Sequence, residues 1–134
     1  MHVSEISKAL NVSPDTVRYY TRLGLVTPKK DINGYKIYSE SDLHRFQFAL
    51  RAKKLGFKLS DVRQLIDISD KGEAPCPLAR EIISENLDRL KTSIEESLEL
   101  FRRMEKAVND WKALPDCTPD GNTICSLIEH DSND

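Results

Sequence analysis

Three cysteines occupy two places in this 134-residue chain. Cys117 and Cys125 bracket a polar loop whose Pro119, Asp120, Gly121 and Asn122 are turn formers. Such a loop folds back and brings both sulfurs together, and two thiols held by a loop chelate a soft cation. Cys76 stands apart, ahead of a long helical stretch. The number of sulfurs limits the ion. Two thiolates suit linear monovalent copper, silver or gold. Three suit a divalent thiophilic ion: mercury, cadmium or lead, or zinc with a fourth donor from water, Asp116 or Asp120. His130 is a weaker candidate for that fourth place. An odd cysteine count in a reducing compartment fits free thiols or metal ligation better than a structural disulfide.

A helix must position these sulfurs. From residue 78 to Trp111 the chain has neither Gly nor Pro. Ile83, Leu87, Leu90, Ile94, Ser97, Phe101, Met104, Val108 and Trp111 keep an unbroken alternation of four- and three-residue steps, with Ser97 as the polar exception. This is a coiled-coil seam of about four heptads. Pro77 suits the first helical position and leaves Cys76 at the cap, where the helix dipole favours a negatively charged sulfur. A helix of about 35 residues separates Cys76 from the loop by roughly 50 Å, so one chain does not bring all three sulfurs to one ion. A second copy of the chain is the expected partner for such a seam, giving a two-fold homodimer. With the helices antiparallel, Cys76 of one subunit meets the 117–125 loop of the other, and a metal ion bridges the subunits.

The front of the chain has a different task. Val3, Ile6, Ala9 and Leu10 mark one face of a short helix, and Asn11-Val12 a turn. Ser13, Pro14 and Asp15 open a second helix that runs to about Leu23 and ends at Gly24. Two short helices joined by a tight turn make a helix-turn-helix. Asn33-Gly34, inside the basic stretch from Lys29 to Tyr38, signals a hairpin that would serve as a wing. Ser41-Asp42 would cap a third helix from Leu43 to about Leu55, and Leu59-Ser60-Asp61 open a fourth reaching about Ile68. Residues 69–75 read as a linker. Cys125 to about Glu129 would form one last turn, and the final polar residues are expected to be unstructured.

Charge divides along the same line. Residues 1–64 carry 12 Lys and Arg against 6 Asp and Glu, whereas residues 65–134 carry 8 against 16. A basic front and an acidic rear suit a nucleic-acid reader with another function behind it. In the second helix, Thr16 and Arg18 have the types needed near base edges, and Tyr19, Tyr20 and Arg22 could reach phosphate. Lys30, Asn33, Gly34, Tyr35, Lys36 and Tyr38 of the wing could track the DNA backbone, with Arg51, Lys53 and Lys54 of the third helix. A hydrophobic content of 39% against 31% charged residues suggests a long exposed helix. No apolar run is long enough to span a bilayer, and the N-terminal residues do not form a signal peptide, so a cytoplasmic protein without membrane contact is expected. His2, His44 and His130 are scattered, with no nucleophile–base pairing or phosphate loop, so no enzyme is expected.

Three pieces carry a family resemblance: residues 6–13 (ISKALNVS), residues 16–26 (TVRYYTRLGLV) and residues 33–38 (NGYKIY). They resemble the MerR family of bacterial transcription regulators, and residues 55–65 (LGFKLSDVRQL) are similar to that family's fourth helix. The resemblance covers essentially the whole chain. It implies a mainly all-α fold: a winged helix-turn-helix DNA-binding domain over residues 1–70, a linker and antiparallel coiled-coil dimerisation helix over 71–112, and a metal-binding loop and tail over 113–134. Arg18, Tyr19, Tyr35 and Tyr38 fall where family members touch DNA. The implied activity is metal-responsive regulation. The homodimer would bind double-stranded promoter DNA whose two recognition elements are too widely spaced, and ligand binding would kink and untwist it so that RNA polymerase engages both. The family's copper branch lacks a cysteine at the position of Cys76 and its divalent-ion branches have one, which favours mercury, zinc, cadmium or lead. The spacing of Cys117 and Cys125 is similar to the copper branch, and the loop lacks the extra Cys or His of zinc-sensing members. The alternatives are a monovalent copper, silver or gold sensor of the same family and a thiol-redox-responsive regulator.

Overall fold

In the computed structural model, which describes residues 1–132, six helices and one two-stranded hairpin follow in the order α1 (Val3–Leu10), α2 (Pro14–Arg22), β1 (Lys29–Lys30), β2 (Lys36–Ile37), α3 (Glu40–Lys54), α4 (Leu59–Asp70), α5 (Cys76–Trp111) and α6 (Ser126–Glu129). The chain is mainly helical, as expected. Of the polar end expected to be unstructured after about Glu129, Asn133 and Asp134 lie outside the described residues. Two compact units divide the chain, Met1–Leu87 and the remainder from Asp88.

The first unit is built on short-range signals. Asn11 turns α1 into α2 with a left-handed backbone (φ 55°). The Ser13 hydroxyl accepts from the Thr16 N–H at 3.1 Å and Pro14 takes the first helical position, satisfying a donor that the helix leaves open. Gly24 then leaves α2 at φ +79°, and a Cβ there would sit 3.0 Å from Arg63 Nη1. Arg63, on α4, uses that nitrogen to donate to the Leu23 carbonyl at 2.8 Å. Glycine is thus favoured by its φ, and a side chain there would also press on the guanidinium that closes the end of α2.

The hairpin pairs Lys29 with Ile37 and Lys30 with Lys36, antiparallel. Gly34 at φ +82° permits its turn. The third helix begins earlier than expected. Ser39, rather than Ser41-Asp42, is the cap: its hydroxyl accepts from the Asp42 N–H at 3.1 Å while the Asp42 carboxylate accepts from the Ser39 N–H at 3.0 Å. Two adjacent Ser–acid pairs compete there, and the reciprocal one prevails. The fourth helix runs two residues past its expected end, and Arg45 of α3 holds Asp70 at its last position, 2.6 Å away.

The core of this unit gathers Ile6, Val17, Tyr20, Leu25, Val26, Tyr38, Phe46, Ala49, Phe57, Val62 and Leu65. Phe46 is its hub, stacked on Tyr20 at 6.2 Å and tilted against Tyr38 at 5.7 Å. Removing that ring leaves a cavity among helices α2 and α3 and the end of the wing. Phe46→Ala should therefore lower the unfolding free energy by about 3–5 kcal/mol, measured by urea titration; a loss under about 1 kcal/mol would show that Phe46 is not the hub. Leu78, Ala79 and Ile82 of α5 pack on this core, and the Asn86 side chain donates to the Gly56 carbonyl at 3.3 Å. The start of the long helix is thus docked onto the core of this unit.

In the second unit α5 continues to Trp111, where the Leu114 N–H bonds the Trp111 carbonyl at 3.2 Å. Lys106 bonds both Asp110 (2.5 Å) and the Ser132 hydroxyl (2.9 Å), tying the end of the described chain back to the helix. The hydrogen bond to Asp110 holds the Lys106 ammonium above its ordinary pKa. Along α5, Leu87, Leu90, Ile94, Phe101, Met104 and Val108 are 56–66% exposed. Among the described residues no helix is long and apolar enough to cross a membrane.

Candidate nucleic-acid interface and metal centre

α2 presents one face to the core and one to solvent. Val17 and Tyr20, three apart, turn inward. Arg18, Tyr19 and Arg22 turn outward. Arg18 pairs with Asp15 at 3.0 Å, a solvent-exposed contact worth about 0–1 kcal/mol, so its guanidinium is readily exchanged for phosphate or a base edge. Arg22 lies over the Tyr19 ring, 5.9 Å from its centroid. Thr16, half-buried, shares a hydrogen bond with the Ser13 hydroxyl at 2.9 Å. The wing presents Lys29, Lys30, Asn33, Gly34, Tyr35 and Lys36, all exposed. Arg18 comes together with Gly34, Tyr35 and Lys36 along one open groove that also includes His2, Val3 and Ser4. Lys53 is exposed in the last turn of α3 and lines a different depression with Lys54, Leu10, Asn11 and Val12.

Two of the residues expected to touch DNA are buried in the core of this unit. Tyr20 is 7% exposed and Tyr38 2%. Tyr20 lies one helical turn beyond Val17 and shares its inward face. Burial pushes its phenol above the ordinary pKa, with Tyr19 adding to the effect. Tyr38 follows Ile37 on the opposite side of the strand, and its hydroxyl bonds Thr21 Oγ1 at 2.8 Å. Both rings hold α2 and the end of the wing on the core. Sequence reasoning also missed His2 and Asp31. Asp31 was legible as an acid two residues before the Asn-Gly turn, placed to form an Asx turn; no local pattern pointed to His2.

In the second unit, the loop after α5 is closed by its own backbone. Asp120 Oδ1 accepts from the Asn122 and Thr123 N–H groups at 2.7 and 2.8 Å. Glu129 Oε2 accepts from the Ile124 and Cys125 N–H groups at 3.1 and 2.9 Å. The Ser126 N–H, one residue past Cys125, donates to Cys117 Sγ at 3.4 Å. The backbone just past Cys125 is thus bonded to the Cys117 sulfur, and both cysteines are half-buried free thiols. Cys117 Sγ in turn donates to the Ile124 carbonyl at 3.9 Å. Cys76, in the first unit, is exposed at the first residue of α5, one position deeper in the helix than expected; the Pro75 carbonyl accepts from the Ala79 N–H at 3.0 Å and makes Pro75 the cap. Of the suggested fourth donors, Asp120 spends one carboxylate oxygen on the turn, and the His130 ring approaches the Ser126 carbonyl through Nδ1 at 3.1 Å. Among the described residues of a single chain, no three His, Cys, Asp or Glu side chains are grouped to hold a metal ion. The donor set still fits a soft cation: two sulfurs on one closed loop, and a third exposed at a helix start.

Comparison with known proteins agrees with these features. Residues 1–67 match the family model described as MerR HTH family regulatory protein, and residues 43–107 match MerR, DNA binding. The chain is 32% identical over 131 residues to the HTH-type transcriptional regulator ZntR of Escherichia coli (strain K12), covering 95% of this chain and 89% of that protein. It is 30% identical over 130 residues to the mercuric resistance operon regulatory protein of Bacillus cereus, covering 95% and 93%. Its fold resembles the crystal structure of the transcription regulator PbrR691 from Ralstonia metallidurans CH34 in complex with lead(II), with a TM-score of 0.75 and 22% identity over 97% of this chain and 98% of that one.

Proposed function

The chain belongs to the MerR family of helix-turn-helix regulatory proteins, and from that premise we propose that it is a metal-responsive transcriptional regulator. It binds promoter DNA as a homodimer and activates transcription by distorting that DNA when a divalent thiophilic ion is bound. The observation that carries this reading is the Cys117–Cys125 loop, two free thiols on one short segment whose end is bonded back to Glu129 and to the Cys117 sulfur. A relative at 30% identity is named for mercuric resistance, which supports metal as the signal.

DNA reading and metal binding fall to different residues. Arg18, Tyr35 and Lys36 bind DNA along their shared groove, with Thr16, Tyr19, Arg22, Asn33 and Gly34 around it and Lys53 on the backbone beyond. Cys117 and Cys125 of one subunit, with Cys76 of the other, hold the ion, which supplies a soft Lewis acid that joins thiolates. The seam of α5 joins the two chains. Because Leu78 and Ile82 seat the start of α5 on the reading head, a change in how two α5 helices meet reorients the heads. The strain in the DNA costs a few kcal/mol, and the ligated dimer must favour the strained complex by a comparable amount.

The experiment is a gel shift on a two-fold promoter site combined with in vitro transcription under full reduction. Addition of mercury, cadmium, lead or zinc should raise transcription without releasing the protein. Activation that requires an oxidant would favour the thiol-redox alternative, and a response confined to copper(I), silver(I) or gold(I) the monovalent one. In the same assay Arg18→Ala should weaken operator binding by about 1–3 kcal/mol. That exceeds what the exposed Asp15 pair is worth, so an unchanged affinity would remove Arg18 from the DNA contacts.

A further inference from the structure

The DNA-facing wing contains an acid. Asp31 sits between Lys30 and the turn, where its charge repels phosphate, and its side chain is 20% exposed. Its bonds explain its presence. Oδ1 accepts from the Asn33 and Tyr35 N–H groups, both at 2.9 Å, which shapes the hairpin tip. Oδ2 faces His2 Nε2 at 3.3 Å. The other ring nitrogen of His2 lies 3.4 Å from Glu5 Oε1, and the same Glu5 oxygen accepts from the His2 backbone N–H at 3.2 Å. Beside this pair, the Met1 carbonyl accepts from the Tyr38 N–H at 2.6 Å. The segment before α1 is therefore bonded to the wing at both its tip and its base. Burial opposes the Asp31 charge, but the bonds from Tyr35, His2 and Asn33 outweigh it and keep the carboxyl below its ordinary pKa.

We propose that the His2–Asp31 pair is a latch that fixes the wing against α1, so that Tyr35 and Lys36 stand at the right distance from Arg18. His2 is then a positioning residue, although it lines the same groove as those three side chains. The latch rests on the DNA-reading role proposed above, but it is a property of the free protein as well. Without it the wing keeps its two residue pairs, its turn and the Met1–Tyr38 bonds at its base, but its tip loses its bond to the segment before α1, and a two-stranded ribbon of that length is marginal by itself. The tip would then lose register with α2 before either element unfolded.

The electrostatic alternative predicts the opposite sign, which makes the latch testable. Asp31→Asn keeps an oxygen for the Asn33 and Tyr35 amides, withdraws the acceptor facing His2, and removes a negative charge from the DNA side. Binding of the full-length protein would be measured by fluorescence anisotropy, as a function of salt, on a duplex selected by the wild-type protein from a random library. Asp31→Asn and His2→Ala should each weaken binding about tenfold, the double variant scarcely more, and the salt dependence should stay as in the wild type because no phosphate contact is lost. Tighter binding by Asp31→Asn would overturn the proposal. So would a salt slope reduced by about one in His2→Ala, the mark of a direct phosphate contact. Amide hydrogen exchange on the DNA-free protein supplies an independent readout: faster exchange at Tyr35 in His2→Ala supports the latch, and wild-type exchange there removes it. If the wild-type protein selects no duplex, the DNA-reading role fails, while the exchange measurement still decides the latch.

Discussion

Cys76→Ser should abolish the transcriptional response to mercury, cadmium, lead and zinc while leaving operator affinity within about twofold of the wild type. The substitution changes one atom on an exposed residue of the first turn of α5, where surface changes shift stability by about 0.5 kcal/mol or less. The reading head keeps its core, its groove and its docking of Leu78 and Ile82. The soft donor is lost: a serine hydroxyl is a hard, neutral oxygen that does not replace a thiolate for a thiophilic ion. The remaining pair on the 117–125 loop suits a linear monovalent ion, so any residual response should be to silver or copper(I). The measurement is transcription at a graded metal concentration, with thiolate–metal absorption of the reduced protein recorded on the same samples. An unaltered response to a divalent ion would take Cys76 out of the site, and with it the bridge between subunits. Loss of operator binding would contradict the separation of reading head from sensor.

Much of this architecture was legible because local chemistry decides it. Ser13-Pro14, the Asn33-Gly34 turn and Gly24 are strong signals whose reasons lie within a few residues, and they mark the ends of α2 and the tip of the wing as expected. The seven-residue repeat of α5 is as plain. What sequence did not resolve depends on which side of an element a residue finally takes. Tyr19-Tyr20 had to divide between core and solvent, and nothing local chooses; Phe46, twenty-six positions later, does so by stacking on Tyr20. Tyr38 looked like a wing residue because it closes the wing's motif, yet strand alternation carries it inward to Thr21 and Phe46. At α3, Ser41 was the expected cap, but the reciprocal hydrogen bonds between Ser39 and Asp42 start the helix earlier. In the sensor loop the sulfurs were evident, but Glu129 was not. Its carboxylate reaches back to the Ile124 and Cys125 amides, and that contact arises only because α6 turns the chain by one helical turn.

A charge in the middle of the α5 seam should separate the subunits, and the loss of operator binding should exceed that of any single DNA contact. Ile94 is 58% exposed in one chain, with Leu87, Leu90, Phe101, Met104 and Val108 exposed to a similar degree along the repeat. In the proposed dimer, fully burying such a side chain against the partner would contribute roughly 1.5–3 kcal/mol, and the seam would need several of them to offset an association cost of about 4–15 kcal/mol. Ile94→Asp replaces that gain with a buried, unpaired carboxylate and costs the dimer at both copies of the position. The folded unit Met1–Leu87 does not depend on residue 94, so the variant should remain folded, with its unfolding midpoint close to that of the wild-type reading head, and sediment as a single subunit. Each head would then bind its half-site alone. Linking two heads raises the effective concentration of the second enough to add about 10²- to 10⁴-fold in affinity, and that factor should vanish. The sensor should fail with it, because Cys76 and the Cys117–Cys125 loop would no longer meet across subunits. A variant that sediments as a dimer and binds the operator at wild-type strength would mean that the exposed face of α5 has some other partner, and the metal centre would have to be assembled within one chain.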